Sequence, residues 1–448
     1  MVSSLTRWFR RSTFVSHSSH QISLAVLLAC AAALIPAPAS AASTLTLAQA
    51  LSLAIERSRQ LAAQDFSVSA SHDQAIAAGQ LPDPVLKVGI ENLPINGANQ
   101  FSITRSSDTM RRVSVMQEMT ATEKRELRAQ RFSLEAQKEL VQKTVTTVDI
   151  KRDTASAWLD RYYSEAMAKV IAEQRNQLKQ EILAAKGAYR AGRGSQADIL
   201  SAQSTLALLD DRASEAQRRI DNAQTALTRW VGDAAAGTLA EKPATDSIRL
   251  DMKALDNQLE QHPEIVVLTK QKEIAESEAR LAKANKSADW SVELAYSQTG
   301  PAYANMVSIG LSIPLQWNQK NLQNRELSAK LALVGRTQAE RQERLRALIA
   351  ETRSRIIEWS NVRERYRRYE RELIPLAIDR VVALRSAYRG DRANLADVLA
   401  AHRNVIDVRI QALQLAADID RLWAQLNFIL PANNADMKTT SLTNKDSQ

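Results

Sequence analysis

From Ala121 to Lys186 the sequence contains no glycine and no proline, and a second long run, with Gly335 and Pro375 as its single glycine and proline, extends from Gln319 to Arg389. Each reads as a single helix on the order of 100 Å long at about 1.5 Å per residue, several times the width of a compact domain. A helix of that length draws its stability from packing along its apolar face. Long neighbours lying side by side are therefore required.

The apolar spacing predicts how they lie. In the first run Val141, Val148, Ala155 and Tyr162 recur at heptad steps, beside Val145, Leu159 and Ala166. In the second, Leu345, Trp359, Tyr366 and Leu373 do so beside Leu348, Val362, Tyr369 and Leu376. This is coiled-coil-like packing. Arg152, Thr352 and Arg355 fall in the seams, so a plain two-stranded rod is one reading among others. Charged residues make up 24% of the 448 and there are 12 glycines, which suits long helices in one elongated body.

The N-terminus combines Arg7, Arg10 and Arg11 with an apolar segment from Ile22 to Ile35, then Pro36 and small residues to Ala41. That pattern predicts a secretory signal cut after Ala41. Cys30, the single cysteine, follows Leu27-Leu28-Ala29 and is a candidate for lipidation. Cleavage after Ala41 would leave no disulfide, thiol nucleophile or thiolate metal site. It would also remove three arginines and no acid, taking the net charge from +9 to +6. The excess is diluted among alternating acids and bases, which argues against a nucleic-acid partner.

An amphipathic helix is expected over Leu45–Gln80, ended by Leu81-Pro82-Asp83-Pro84. Two alternating stretches follow. Leu86, Val88 and Ile90 oppose Lys87, Gly89 and Glu91; beyond a loop from Pro94 to Thr109, Val113 and Val115 oppose Arg112 and Ser114. After the first long helix, Tyr189 to Ser195 turns the chain and Gln196 to Trp230 returns. The pattern then restarts: His262–Lys286 as helix, two alternating stretches (Trp290–Ser297 and Val307–Ile313), and the second long run. Its tip, Tyr388 to Leu399, overlies Tyr189 to Leu200 without a gap. Tyr, both Arg, Ala, Asp and the aliphatic pair keep place or type. An internal duplication is the expected organisation: 1–41 signal peptide, 42–231 first repeat, 232–253 equatorial linker, 254–431 second repeat, 432–448 polar tail.

Strands of about ten residues with one apolar face have the dimensions of outer-membrane barrel strands. Four cannot close a barrel, and open edges are not tolerated in lipid. The chain must oligomerise, or the strands are soluble hairpins packed on helices.

With Leu45-Thr46-Leu47-Ala48-Gln49-Ala50-Leu51, the Leu81-Pro82-Asp83-Pro84 helix end and both Tyr-Arg tips, the chain resembles the TolC-type outer-membrane efflux channel family from Leu45 to Pro431. Gly89-Ile90-Glu91-Asn92-Leu93-Pro94 and Met110 to Met119 resemble its heavy-metal branch, related to CzcC and CusC. The resemblance implies a mostly α fold with a small β part: four transmembrane strands per chain, a 12-stranded barrel in a homotrimer, and a helical periplasmic tunnel. It implies outer-membrane lipid, a periplasmic adaptor and an inner-membrane RND-type pump as partners. Tyr388 and Asp397 then match a gate tyrosine and an aspartate ring, and Arg392 lies one residue before the gate arginine. Ala400 stands where a second aspartate ring would be. Gly192, Gly194, Ser195, Asp198, Gly390 and Asn394 become adaptor-docking candidates, with turn and cap roles as the alternative.

No catalytic constellation and no cofactor site is visible. His72, His262 and His402 are widely separated and read as helix-surface residues; Met110, Met116 and Met119 read as packing residues rather than copper ligands. The function expected is a passive conduit, with heavy-metal cations as cargo. Drug or protein export through the same channel, or an exported soluble coiled-coil scaffold or adaptor, are the alternatives.

Overall fold

The computed structural model describes residues 44–431, apart from Arg193 and Pro301. The signal sequence, Cys30 and the tail 432–448 lie outside the described residues.

The first helix is two helices, α1 (Leu47–Arg57) and α2 (Arg59–Ala78). The break comes at Ser58, whose backbone is extended (φ −68°, ψ 111°) and whose hydroxyl accepts from Leu61 N at 3.3 Å. A serine that captures a free amide makes a new N-terminus without glycine or proline. Thr46 and Gln49 form a capping box at the start of α1. Then come β1 (Val85–Glu91), β2 (Met110–Met119), α3 (Thr122–Arg190) and α4 (Gln196–Val231). A 3₁₀ turn (Gly232–Ala236), an extended linker and the short α5 (Leu255–Glu260) lead to α6 (Pro263–Ala284), β3 (Trp290–Gln298) and β4 (Met306–Ser312).

The second long run is not one helix. It divides into α7 (Gln323–Arg368), a π-turn (Tyr369–Leu373) and α8 (Ile374–Arg389), before α9 (Leu395–Asn427) returns. Pro375 lies in the first turn of α8, where its missing N–H withdraws a donor from the preceding turn. The wider π-turn accommodates that loss. Gly335 is tolerated within α7.

Nor is α3 half of a two-stranded rod. Ile150, Thr154, Ala155, Trp158, Leu159, Arg161 and Tyr163 are all buried, so its middle is covered on every side. Trp158 is fully enclosed, donates its Nε1–H to Leu45 O at 3.1 Å and stacks on Tyr162. α3 carries α2 and α6 along its first half and α4 and α9 along its second, while α7 closes on α6 and α9. The helices therefore form open layers, in the order α2-α3-α6-α7 towards the strands and α4-α3-α9-α8 towards the tips.

At mid-length the linker is pinned to this body through Asp420 of α9, which is 1% exposed. Its carboxylate accepts from Tyr163 Oη at 2.5 Å, Thr245 Oγ1 at 2.6 Å and Lys242 Nζ at 2.9 Å.

The four strands form one antiparallel sheet in the order β1-β2-β3-β4. The two strand pairs are thus joined through β2 and β3. Their lengths are 7, 10, 9 and 7 residues, so β2 reaches the expected ten and the other three fall short of it.

Candidate functional site

Strand register sorts the sheet into two unlike faces. On one face the rows Leu86–Val115–Leu294–Ile309 and Val88–Val113–Tyr296–Val307 run straight across all four strands. Every one of these side chains is exposed, Ile309 at 80%. Trp290 lies at the helix end of this face and Trp317 just beyond β4, both exposed. The opposite face carries the row Lys87–Ser114–Ala295–Ser308. Here Arg112 bridges Glu91 at 3.3 Å and Glu293 at 3.4 Å. A two-faced sheet with bare hydrocarbon on one side is built for an apolar solvent on that side; interfacial tryptophans agree with this.

The sheet has two unpaired edges, β1 and β4. The helix layers end in step with it: α2 and α4 on the β1 side, α7 and α8 on the β4 side. Large apolar side chains stand exposed on these end helices, among them Phe66 (76%) on α2, Leu208 on α4, Ile357 (68%) on α7 and Leu376 on α8. The two sides are unlike surfaces, and contact of one with the other would be of the head-to-tail kind that closes rings.

The tips are the far ends of the α3–α4 and α8–α9 pairs. In the first, Gly192 (φ +73°) and Gly194 (φ +156°) make the turn and Ser195 caps α4. Asp198 completes a capping box, accepting from Ser195 N at 3.0 Å and Ser195 Oγ at 2.7 Å. Its carboxylate is engaged in its own helix start. In the second tip the left-handed residue is Asp391 (φ +57°), while Gly390 has an ordinary φ of −91°. Asn394 caps α9 by accepting from Asp397 N at 2.8 Å. The Asp397 carboxylate is exposed and has no hydrogen-bond or ion-pair partner among the described residues. Arg392 is exposed and folds back beside Gly390. Ala400 is exposed on α9.

Tyr388 links the two tips. It packs against the cluster of Leu178, Ile182, Leu395, Val398 and Leu399. Burial, with the Asp198, Glu181 and Asp391 carboxylates nearby, pushes its phenol above the usual value. Within one turn further in, Glu181 of α3 binds Arg385 of α8, and His402 of α9 lies with Nε2 3.9 Å from the same carboxylate. Sequence reasoning passed over this cluster, because its members sit on three helices with no spacing to join them.

The histidines divide. His72 is exposed on α2, but His262 and His402 are not surface residues. His262 is 8% exposed and caps α6, accepting from Glu264 N at 3.2 Å; burial holds it below the ordinary histidine value. It borders a cavity of about 580 Å³ where α6 begins and α9 ends. Arg344 spans that cavity's wall to Glu264 at 2.6 Å and Glu351 at 3.1 Å. Met110 and Met116 lie on the polar face of the sheet and Met119 on the other, opposite Trp290. Among the described residues no group of three or more histidine, cysteine, aspartate or glutamate side chains is placed to hold a metal ion. No described helix is long and apolar enough to cross a membrane.

No protein-family model matches the sequence, and a search of curated proteins finds no match. Solved structures do match. The chain is similar to CusC, described by its transmembrane channel formation, with TM-score 0.73, 12% identity, and 86% of this chain and 92% of that one covered. The outer membrane protein VceC of Vibrio cholerae matches with TM-score 0.69 and 16% identity over 86% of this chain and 95% of that one. The CmeC outer membrane channel of Campylobacter jejuni matches with TM-score 0.71 and 11% identity over 88% of each. The chain has the TolC-like fold. Within that fold the sheet and the tips are opposite ends of one long structure, joined by α3.

Proposed function

We propose that this protein is an outer-membrane channel, a passive conduit that closes as a homotrimer and receives cargo from an inner-membrane pump through a periplasmic adaptor. The observation that carries this reading is the joint sidedness of sheet and helices. An apolar face that needs lipid belongs to a sheet with open edges, and lipid forbids open edges. Pairing β1 of one copy with β4 of the next removes them, and the same contact covers Phe66 and Ile357. Two copies would give eight strands, whose interior is filled by side chains. Three give twelve, and with them room for a lumen lined by the Arg112–Glu91–Glu293 face. The reading assigns no catalytic step to the chain.

The cargo we propose is heavy-metal cations, supported by the resemblance of the Gly89–Pro94 and Met110–Met119 segments to the heavy-metal branch. Exposed Asp397, which three copies would repeat around an axis, adds a ring of carboxylates that draws cations to the tip. Alternation of acids and bases elsewhere leaves the rest of the conduit unselective.

Membrane fractionation with detergent extraction tests the channel: an outer-membrane trimer is expected, and a soluble monomer or dimer would refute it. Tolerance of a deletion strain to copper, silver, zinc, cobalt and hydrophobic drugs tests the cargo. Loss of tolerance to drugs alone would overturn the metal assignment and leave the conduit standing.

A further inference from the structure

The α8–α9 pair is attached unlike the other helices. α8 begins at a π-turn and Pro375 rather than continuing α7. It packs along α9 through Ala377 and Val381 against Ala401 and Val405. Its last turns reach the α3 side through Leu384 and Tyr388 in the tip cluster and through Arg385. A π-turn marks a place where a helix changes direction at little cost. α8 is thus hinged at one end and fastened at the other.

The fastening is charged, with Arg385 at its wet rim (42% exposed) and its other two members enclosed. Glu181 exposes 11% of its side chain and His402 13%, so both lie in the α3–α8–α9 seam. Arg385 donates to Glu181, which adds an ion pair between α8 and α3 to the apolar contacts of Leu384 and Tyr388. His402 Nε2 is buried without a hydrogen-bond partner. The charged groups facing the imidazole are Glu181 from α3 and Arg385 from α8; its neighbours on α9, Val398, Leu399, Val405 and Ile406, are apolar.

We propose that Glu181, Arg385 and His402 form a proton-sensitive latch that holds the α8–α9 hairpin on α3, with the π-turn at Tyr369–Leu373 as its hinge. The argument is one of competing charges. Glu181 is already neutralised by Arg385, so a second cation at His402 meets an occupied carboxylate, a guanidinium of its own sign and a desolvated site. The seam accepts the neutral imidazole and resists the charged one, in line with the downward displacement of His402 from the ordinary value of 6.5. When the hairpin leaves α3, His402 returns to water and to that ordinary value. The latch is therefore fully closed above about pH 6.5 and weakens as the pH falls below it. Acid loosens the tip. In a channel the consequence is a wider opening at low pH; that part alone rests on the channel reading.

Amide hydrogen exchange of the detergent-solubilised full protein, corrected for the intrinsic pH dependence of exchange, reads the latch directly. Protection of segment 374–389 is expected to fall about fivefold or more between about pH 7.5 and about pH 5.5, while α2 and α6 hold theirs. In His402→Gln, which keeps a neutral polar side chain, the pH response should vanish. Glu181→Gln should lower protection of α8 at both pH values. A wild-type response absent in α8, or one that persists in His402→Gln, would overturn the latch. Planar-bilayer conductance over the same pH range separates the two readings: a protein that never conducts refutes the channel and leaves the exchange result to judge the latch.

Discussion

Asp420 offers a sharp test of how this body is held together. Its carboxylate is the meeting point of α3, α9 and the linker, accepting from Tyr163, Thr245 and Lys242 at 2.5, 2.6 and 2.9 Å. Truncation in Asp420→Ala leaves the two hydroxyls without their acceptor in a site that is 1% exposed. Each orphaned donor costs about 1–3 kcal/mol. Lys242 is 36% exposed, so solvent screens its share, and we assign it nothing. The expected loss is about 3 kcal/mol, confined to docking of the linker.

Because the protein is long and its unfolding is not a single transition, the loss should be read locally. The linker carries tryptic sites at Arg249 and Lys253, whereas Pro243 protects the bond after Lys242. Where opening and closing are fast relative to cleavage, the cutting rate follows the open population, and about 3 kcal/mol corresponds to a rise of about 100-fold. Asp420→Asn keeps one acceptor oxygen and should fall between. Trp423, which donates to Ser247 O at 2.9 Å, serves as a second anchor and keeps the linker from detaching altogether. A rise of less than about threefold in Asp420→Ala would refute the claim that this carboxylate carries the docking energy.

Three further outcomes follow from the geometry. Ile309→Arg places a charge on the apolar face of the sheet: in lipid it should cost about 2–4 kcal/mol and reduce folded outer-membrane trimer, whereas on a water-exposed sheet it would be nearly neutral, so the trimer yield decides the environment. Gly232→Ala should lower the melting temperature by an amount equal to about 1–3 kcal/mol, since φ is +65° and a Cβ would lie 2.5 Å from the Arg57 guanidinium; an unchanged melt would show that the turn relaxes freely. His262 is held below 6.5 by burial and caps α6 as a neutral acceptor, so its contribution is present above about pH 6.5 and lost as the pH falls; His262→Asn, which can still cap, should flatten that acid dependence of thermal stability, and an equally steep dependence would refute it.

What was legible in the sequence was whatever is local. Long glycine-poor runs gave the helices, and period-2 alternation placed all four strands. Ser195 and Asp198 stand three residues apart, a spacing that encodes a capping box, and the structure forms it. Asn394 and Asp397 repeat the spacing, but asparagine satisfies the amide alone and leaves Asp397 free, a difference of one side chain that separates a structural acid from a functional candidate. The misjudged elements turn on finer chemistry. Ser58 broke a helix by capturing an amide, and Pro375 was absorbed in a π-turn where a clean helix was expected.

What sequence could not give is what only the folded chain brings together. The joining of two strand pairs into one sheet rests on pairings such as Arg112 opposite Ser297, and the pinning of the linker rests on Lys242 meeting Asp420. His402 shows the limit best. As a lone histidine on a helix it reads as a surface residue, because nothing near it in sequence says that Glu181 and Arg385 will close over it. Its burial is decided by helices more than two hundred residues apart along the chain, as is its resistance to a proton. A titratable group in such a seam gains its character from packing alone. The chemistry of this protein therefore lies in the contacts between its long helices.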